Sequence, residues 1–156
     1  MKGRINRLQQ LLTLKEQSTR AAAQDLAQAR EQFTAGKAHH NQLLGYRQDY
    51  LQQLNQIGDA GCTVGDVRNR INFIGQLDHA LSHLNQQLGQ LAKQRAHYES
   101  LYLRAKSEQD VVQRLLERVE KQENIRKERI EQKESDEYAQ KQWYSKKSVN
   151  NVTKSE

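Results

Sequence analysis

The stretch Gly58-Asp-Ala-Gly-Cys-Thr-Val-Gly65 decides the fold. Three of the chain's eight glycines fall within it, and the chain has no proline. Glycine takes positive φ without steric cost and is unfavourable inside helices, so a cluster of it marks where a helix ends and the chain turns. Thr63, with Asp66 three residues on, supplies an N-cap for a second helix, although Asp is a weaker capping-box partner than Glu. On both sides of the break, apolar residues recur at alternating steps of three and four. This pattern predicts an all-α fold, a long antiparallel two-helix coiled coil bent into a hairpin. The arms are expected over 4–57 and 64–143, with the turn at 58–63 and a disordered tail over 144–156.

Composition points the same way. Of 156 residues, 35% are apolar and 28% charged, and the mean hydropathy is -1.03. That is too little apolar surface for a thick core but enough for the thin seam of a coiled coil. The absence of proline favours long uninterrupted helices, since an interior proline costs about 3 kcal/mol.

In the first arm, a heptad register places Ile5, Leu12, Thr19, Leu26, Phe33, His40, Arg47 and Leu54 at a. It places Leu8, Lys15, Ala22, Ala29, Gly36, Leu43, Tyr50 and Ile57 at d. Eleven of these sixteen positions are apolar or aromatic, which indicates a left-handed seam. Ala22, Ala29 and Gly36, at successive d positions, allow close approach of the partner helix. Gly36 and Gly45 each weaken a helix interior by roughly 1 kcal/mol relative to Ala. At about 1.5 Å per residue, this arm is roughly 80 Å long.

The second arm is more regular, running from Ile74, Leu77, Leu81 and Leu84 to Val112, Leu116 and Val119. Twelve of its fourteen seam positions are apolar or aromatic. Beyond Val119 the same register falls on Glu123, Arg126, Ile130, Lys133 and Glu137, and the seam fades. Folding about residue 61 predicts Phe33 near Leu88 or Gly89 and Ile5 near Leu116. Residues 120–143 should then project past the N-terminus as a single helix. Helical charge pairs such as Glu117–Lys121, Glu123–Lys127 and Glu137–Lys141 should support it. Such a helix is marginal in isolation, which suggests a partner at that end.

Net charge is +6, and residues 1–20 carry +4 of it, from Lys2, Arg4, Arg7, Lys15 and Arg20 against Glu16. A basic end suits nucleic acid, an acidic membrane or an acidic protein surface, and charge alone does not choose among them. Interspersed acidic residues and the lack of aromatic interleaving on a basic face argue against nucleic acid. The single Cys62 cannot form an internal disulfide. It reads as an incidental exposed thiol and fits a reducing, cytoplasmic setting. No apolar run approaches the roughly 20 residues that span a bilayer, and no signal peptide is expected.

No catalytic constellation emerges. There is no GxxxxGK[ST] phosphate loop and no CxxC pair, so neither enzymatic activity nor a cofactor is expected. His79 and His83 lie one turn apart, and the hairpin brings His39 and His40 near them. That spacing can bind zinc, but Asp78 is the only carboxylate in support, and solvated flank histidines are the better reading. Asn151-Val-Thr153 fits a glycosylation sequon in the wrong compartment. Tyr46 and Tyr50 lie a turn apart after Leu43. They read either as seam packing with a flank contact or as a partner-binding patch spilling off the seam.

Three stretches resemble the FliJ family, the small coiled-coil protein of the bacterial flagellar type III export apparatus. They are Tyr46-Arg-Gln-Asp-Tyr50 with Leu54 and the glycine turn, Ile71-Asn-Phe-Ile74 with Leu77 and Ala80, and Glu131-Gln-Lys-Glu-Ser-Asp-Glu-Tyr-Ala139. The resemblance spans nearly the whole chain. It implies a non-enzymatic central stalk similar to part of a rotary ATPase γ subunit, cytoplasmic and peripheral at the inner face of the inner membrane. The partners it implies are the hexameric export ATPase, the membrane export-gate protein and empty export chaperones, with no nucleic acid. By the same resemblance, Leu43, Tyr46, Tyr50, Phe73, Leu77 and Ala80 bind the gate, with His39 and Leu84 at flanking positions. The end carrying Lys2, Arg4, Arg7, Glu131, Gln132, Lys133, Asp136 and Glu137 enters the ATPase ring. The alternatives are a generic coiled-coil adaptor, the stalk of a virulence secretion system, and a basic helical nucleic-acid binder.

Overall fold

A computed structural model describes residues 2–61 and 63–154. Helix α1 spans Lys2–Ala60 and helix α2 spans Val64–Lys154, and they pack against each other as a helical hairpin. No strand occurs among the described residues. The turn is tighter than the glycine cluster implied, because α1 continues through Gly58 to Ala60. Among the described residues, Gly61 is the one with positive φ, +73. This is the left-handed residue that ends a helix, a conformation costing an L-residue about 1–2 kcal/mol. Cys62 lies outside the described residues.

Thr63 caps α2. Its carbonyl accepts from the Asp66 N–H at 3.2 Å and the Val67 N–H at 3.4 Å. Its hydroxyl accepts from the Asp66 N–H at 3.4 Å and donates to Asp66 Oδ2 at 2.9 Å. A longer glutamate would reach back to the cap's own N–H. The aspartate is one methylene shorter and stops at the hydroxyl.

The hairpin divides into two compact units, residues 16–107 and residues 1–15 with 108–156. In the first, the heptad positions of both arms are half-buried or buried, and Leu26, Ala29, Ile74, Leu77 and Leu81 are the most enclosed apolar ones. At Gly36 the helices come close. A Cβ added at Gly36 would stand 3.1 Å from Leu88 Cδ2 and 3.4 Å from Leu91 Cδ1. Leu88 thus faces Gly36 rather than Phe33, whose ring lies 4.3 Å below the Arg95 guanidinium. The shift has a simple cause. Helical side chains lean toward their own N-terminus, which on an antiparallel partner is toward higher numbers.

In the other unit, Val112, Leu116 and Val119 are buried and face the half-buried Ile5, Leu8 and Leu12. Lys15 Nζ donates to Glu108 Oε2 at 3.1 Å across the pair. Glu123 is the last buried seam position, and Arg126 Nη2 donates to its Oε1 at 3.1 Å. From 124 to 151 every side chain is exposed, so the seam with α1 ends at Glu123, as the fading heptads predicted.

α2 nevertheless stays helical to Lys154, through most of the stretch expected to be a disordered tail. This segment lacks glycine and proline and has local contacts of its own. Gln132 Nε2 donates to Asp136 Oδ1 at 3.2 Å, and Gln142 Nε2 donates to the Tyr138 hydroxyl at 3.0 Å. Lys147 Nζ lies 4.7 Å above the Trp143 ring. Pairs four residues apart support a helix even without tertiary packing. The partners differ from those expected, since Glu117 accepts from Gln113 at 3.3 Å and Glu123 from Arg126. Among the described residues, no helix is long and apolar enough to cross a membrane.

Candidate functional site

Within residues 16–107, the ends of the arms nearest the turn carry an aromatic surface. Tyr50 sits at a d position of α1, half in the seam. Phe73 precedes the seam residue Ile74 on α2 and therefore emerges at its edge. The two rings meet across the hairpin with centroids 4.6 Å apart and planes at 39°. Phe73 is 39% exposed and Tyr46, one turn before Tyr50, is 46% exposed. Gln42 Nε2 donates to the Tyr46 hydroxyl at 2.9 Å, satisfying its polar tip and leaving the ring face to solvent.

The other residues assigned to this surface separate by depth. Leu77 is buried and supports the patch from beneath. Leu43 is half-buried at the seam, and Ala80 is exposed on the same arm as Phe73. Of the flanking positions, His39 is exposed and Leu84 half-buried. The patch therefore has an outer layer of Tyr46, Phe73 and Ala80 over an inner layer of Leu43, Tyr50 and Leu77. Exposed aromatic rings backed by aliphatic packing are the usual anchors of a protein interface.

Sequence reasoning missed the polar rim. Asp66, Asn69 and Arg70 line one shallow concavity with Tyr50 and Phe73. Arg70 donates to Gln53 Oε1 across the turn end, which fixes its guanidinium beside the rings. The signal was present: Asn69 and Arg70 lie four and three residues before Phe73, so they share its helix face. Arg47 Nε donates to Asp78 Oδ1 at 2.6 Å, which ties the arms together on the side of His79. Asp78 is thus engaged, and His83 Nε2 is 3.3 Å from Gln87 Nε2. No group of three metal-ligating side chains gathers among the described residues.

The residues assigned to a ring-inserted end lie in the other unit. Lys2, Arg4 and Arg7 occupy the first two turns of α1 and are exposed, with Arg7 Nε donating to the Gly3 carbonyl at 3.1 Å. Glu131, Gln132, Lys133, Asp136 and Glu137 are exposed on α2 beyond the last buried seam residue. The register that sets Lys15 against Glu108 puts Lys2 level with Lys121. The two groups are therefore separated along the unit by roughly 15 Å or more.

A family model described as Flagellar FliJ protein matches residues 4–148. No curated protein and no solved structure matches the chain.

Proposed function

The chain belongs to the FliJ family, whose members are non-enzymatic parts of the flagellar export apparatus, and from that premise we propose that it is the apparatus's central stalk. In this role it links the hexameric export ATPase to the membrane export gate and receives empty export chaperones. It works at the cytoplasmic face of the inner membrane without entering the bilayer. The observation that carries this reading is the aromatic surface of Tyr46, Tyr50 and Phe73, exposed on a hairpin whose seam already satisfies its own packing. The outward faces of Tyr46 and Phe73, which the seam does not cover, are available to a partner. The gate takes this surface, and the exposed run of α2 after Glu123, with Lys2, Arg4 and Arg7, takes the ATPase ring.

Two variants test the assignment. Tyr46→Ala with Phe73→Ala should weaken binding to the gate's cytoplasmic linker by about 30-fold, the equivalent of about 2 kcal/mol for loss of interface anchors. It should leave stimulation of the ATPase near wild type. Deletion of 124–154 should abolish stimulation and spare gate binding. Circular dichroism checks helicity in both. If both variants lose both activities while remaining helical, the division of roles is wrong.

A further inference from the structure

Unit 1–15 with 108–156 has two unlike sides along its paired stretch. Positions c and g of the heptad flank the seam on one side of each helix, and in an antiparallel pair these flanks of the two helices adjoin. On that side α1 presents Leu11 and Leu14, and α2 presents Val111 and Leu115. All four are exposed, Leu14 at 59% and Val111 at 62%. The Lys15–Glu108 bridge sets the level, placing Leu11 beside Val112 and Leu14 beside Gln109. The four aliphatic side chains thus share one surface patch.

Its rim is basic. Arg4 and Arg7 stand on α1, and Arg114, Arg118 and Lys121 on α2. Val111, Arg114, Leu115 and Arg118 line one concavity. Glu108, the acidic residue on this side, is held by Lys15. The opposite side, at positions b and e, carries Asp110, Glu117 and Glu120 on α2 and Lys2, Asn6, Gln9 and Thr13 on α1. Surface lysines and glutamates scattered at random would not sort this way.

We infer that the face of Leu11, Leu14, Val111 and Leu115, rimmed by Arg7, Arg114 and Arg118, is a docking site for an acidic amphipathic helix of another protein. Aliphatic ridges three and four residues apart fit the apolar stripe of a third helix. The arginines pair with carboxylates flanking that stripe. A second copy of this chain is disfavoured as occupant, because the same face of two copies would set arginine against arginine. The inference stands apart from the aromatic surface and shares only Arg4 and Arg7 with the end proposed to enter the ATPase ring; its probe and its tested residues Val111, Leu115, Arg114 and Arg118 involve no ATPase.

The probe is a synthetic, fluorescently labelled helix of three heptads with leucine at a and d and glutamate at e and g. Its anisotropy is followed on titration with the full chain at about 0.15 M salt. Saturable binding is expected. A scrambled peptide of the same composition should bind at least tenfold more weakly. Val111→Gln with Leu115→Gln should weaken binding about tenfold or more, as loss of anchors does. Arg114→Gln with Arg118→Gln should weaken it and flatten its salt dependence. Leu103→Gln, at an exposed leucine of the other unit, should change nothing. These positions are solvent-facing, so circular dichroism should show unchanged helicity. Equal binding of the scrambled peptide overturns the inference, as does indifference to the Val111 and Leu115 changes or equal loss on changing Leu103. So does self-association of the chain, seen by sedimentation, that the same changes abolish.

Discussion

The two units use the same heptads to different ends. Residues 16–57 and 67–107 pair through buried and half-buried positions on both helices, with cross-links from Arg47 to Asp78 and Tyr50 to Phe73. In the other unit, the short first segment of α1 covers α2 only as far as Glu123, and the described residues beyond it stay helical while exposed. Pairing needs a continuous apolar stripe, whereas helix persistence needs only good helix formers and contacts four residues apart. The first property fixes a scaffold and the second leaves a helix free for a partner.

The strongest way to break this contrast is to put a charge in each seam. Leu77→Asp and Leu116→Asp should each cost about 3 kcal/mol or more, because the carboxylate has no partner in an apolar seam. Leu116→Asp should accelerate hydrogen exchange across 2–15 while leaving 26–98 protected. If one transition melts both regions together, they are a single cooperative body and the distinction fails. A smaller effect is expected at the turn. Gly61→Ala should destabilise the hairpin by about 1 kcal/mol in urea melts, because its φ of +73 is unfavourable for alanine.

Glycines within the paired unit sharpen the comparison from the stabilising side. Gly45 has open space around its missing Cβ, so Gly45→Ala should raise stability by about 0.5–1 kcal/mol. Gly36→Ala gains the same propensity but crowds Leu88, so its net gain should be smaller, and Gly36→Leu should cost about 1–3 kcal/mol. Equal gains at the two alanine sites would mean that the close approach at Gly36 is not retained in solution. The smallest effects belong to the ion pairs. Lys15–Glu108 and Arg47–Asp78 are both partly solvated, and double-mutant cycles should give each less than about 1 kcal/mol, fading in about 1 M salt.

Much of this was legible in the residue order. Every heptad position assigned from Ile5 to Ile57 and from Ile74 to Val119 is half-buried or buried, because a 3.5-residue apolar period leaves a helix pair little choice of facing side. The cap at Thr63 was legible from one residue type and its spacing. The exact level of the arms was not, because it depends on how far side chains such as Phe33 and Arg95 lean along the axis. The helical tail was missed because polarity was read as disorder, when Tyr138, Gln142, Trp143 and Lys147 hold it locally. The aromatic surface was recognised through family resemblance. Physics alone left Tyr46 and Tyr50 open between packing and binding, and the rim residue Arg70, which shares Phe73's helix face by spacing, is joined to the patch by Gln53 across the turn end.

A ladder of equivalent rungs has no origin, and either rail could slide by seven residues and find similar neighbours. The notch at Ala22, Ala29 and Gly36 removes that ambiguity. There the leucines at 88 and 91 come so near the opposing backbone that even a methyl group at Gly36 would crowd Leu88, 3.1 Å away. Slipped seven residues one way, the hairpin would press those leucines against Leu43; slipped the other way, against the Cβ of Ala29, leaving Gly36 vacant. Gly36 therefore works as a phase mark, selecting one alignment out of a periodic set.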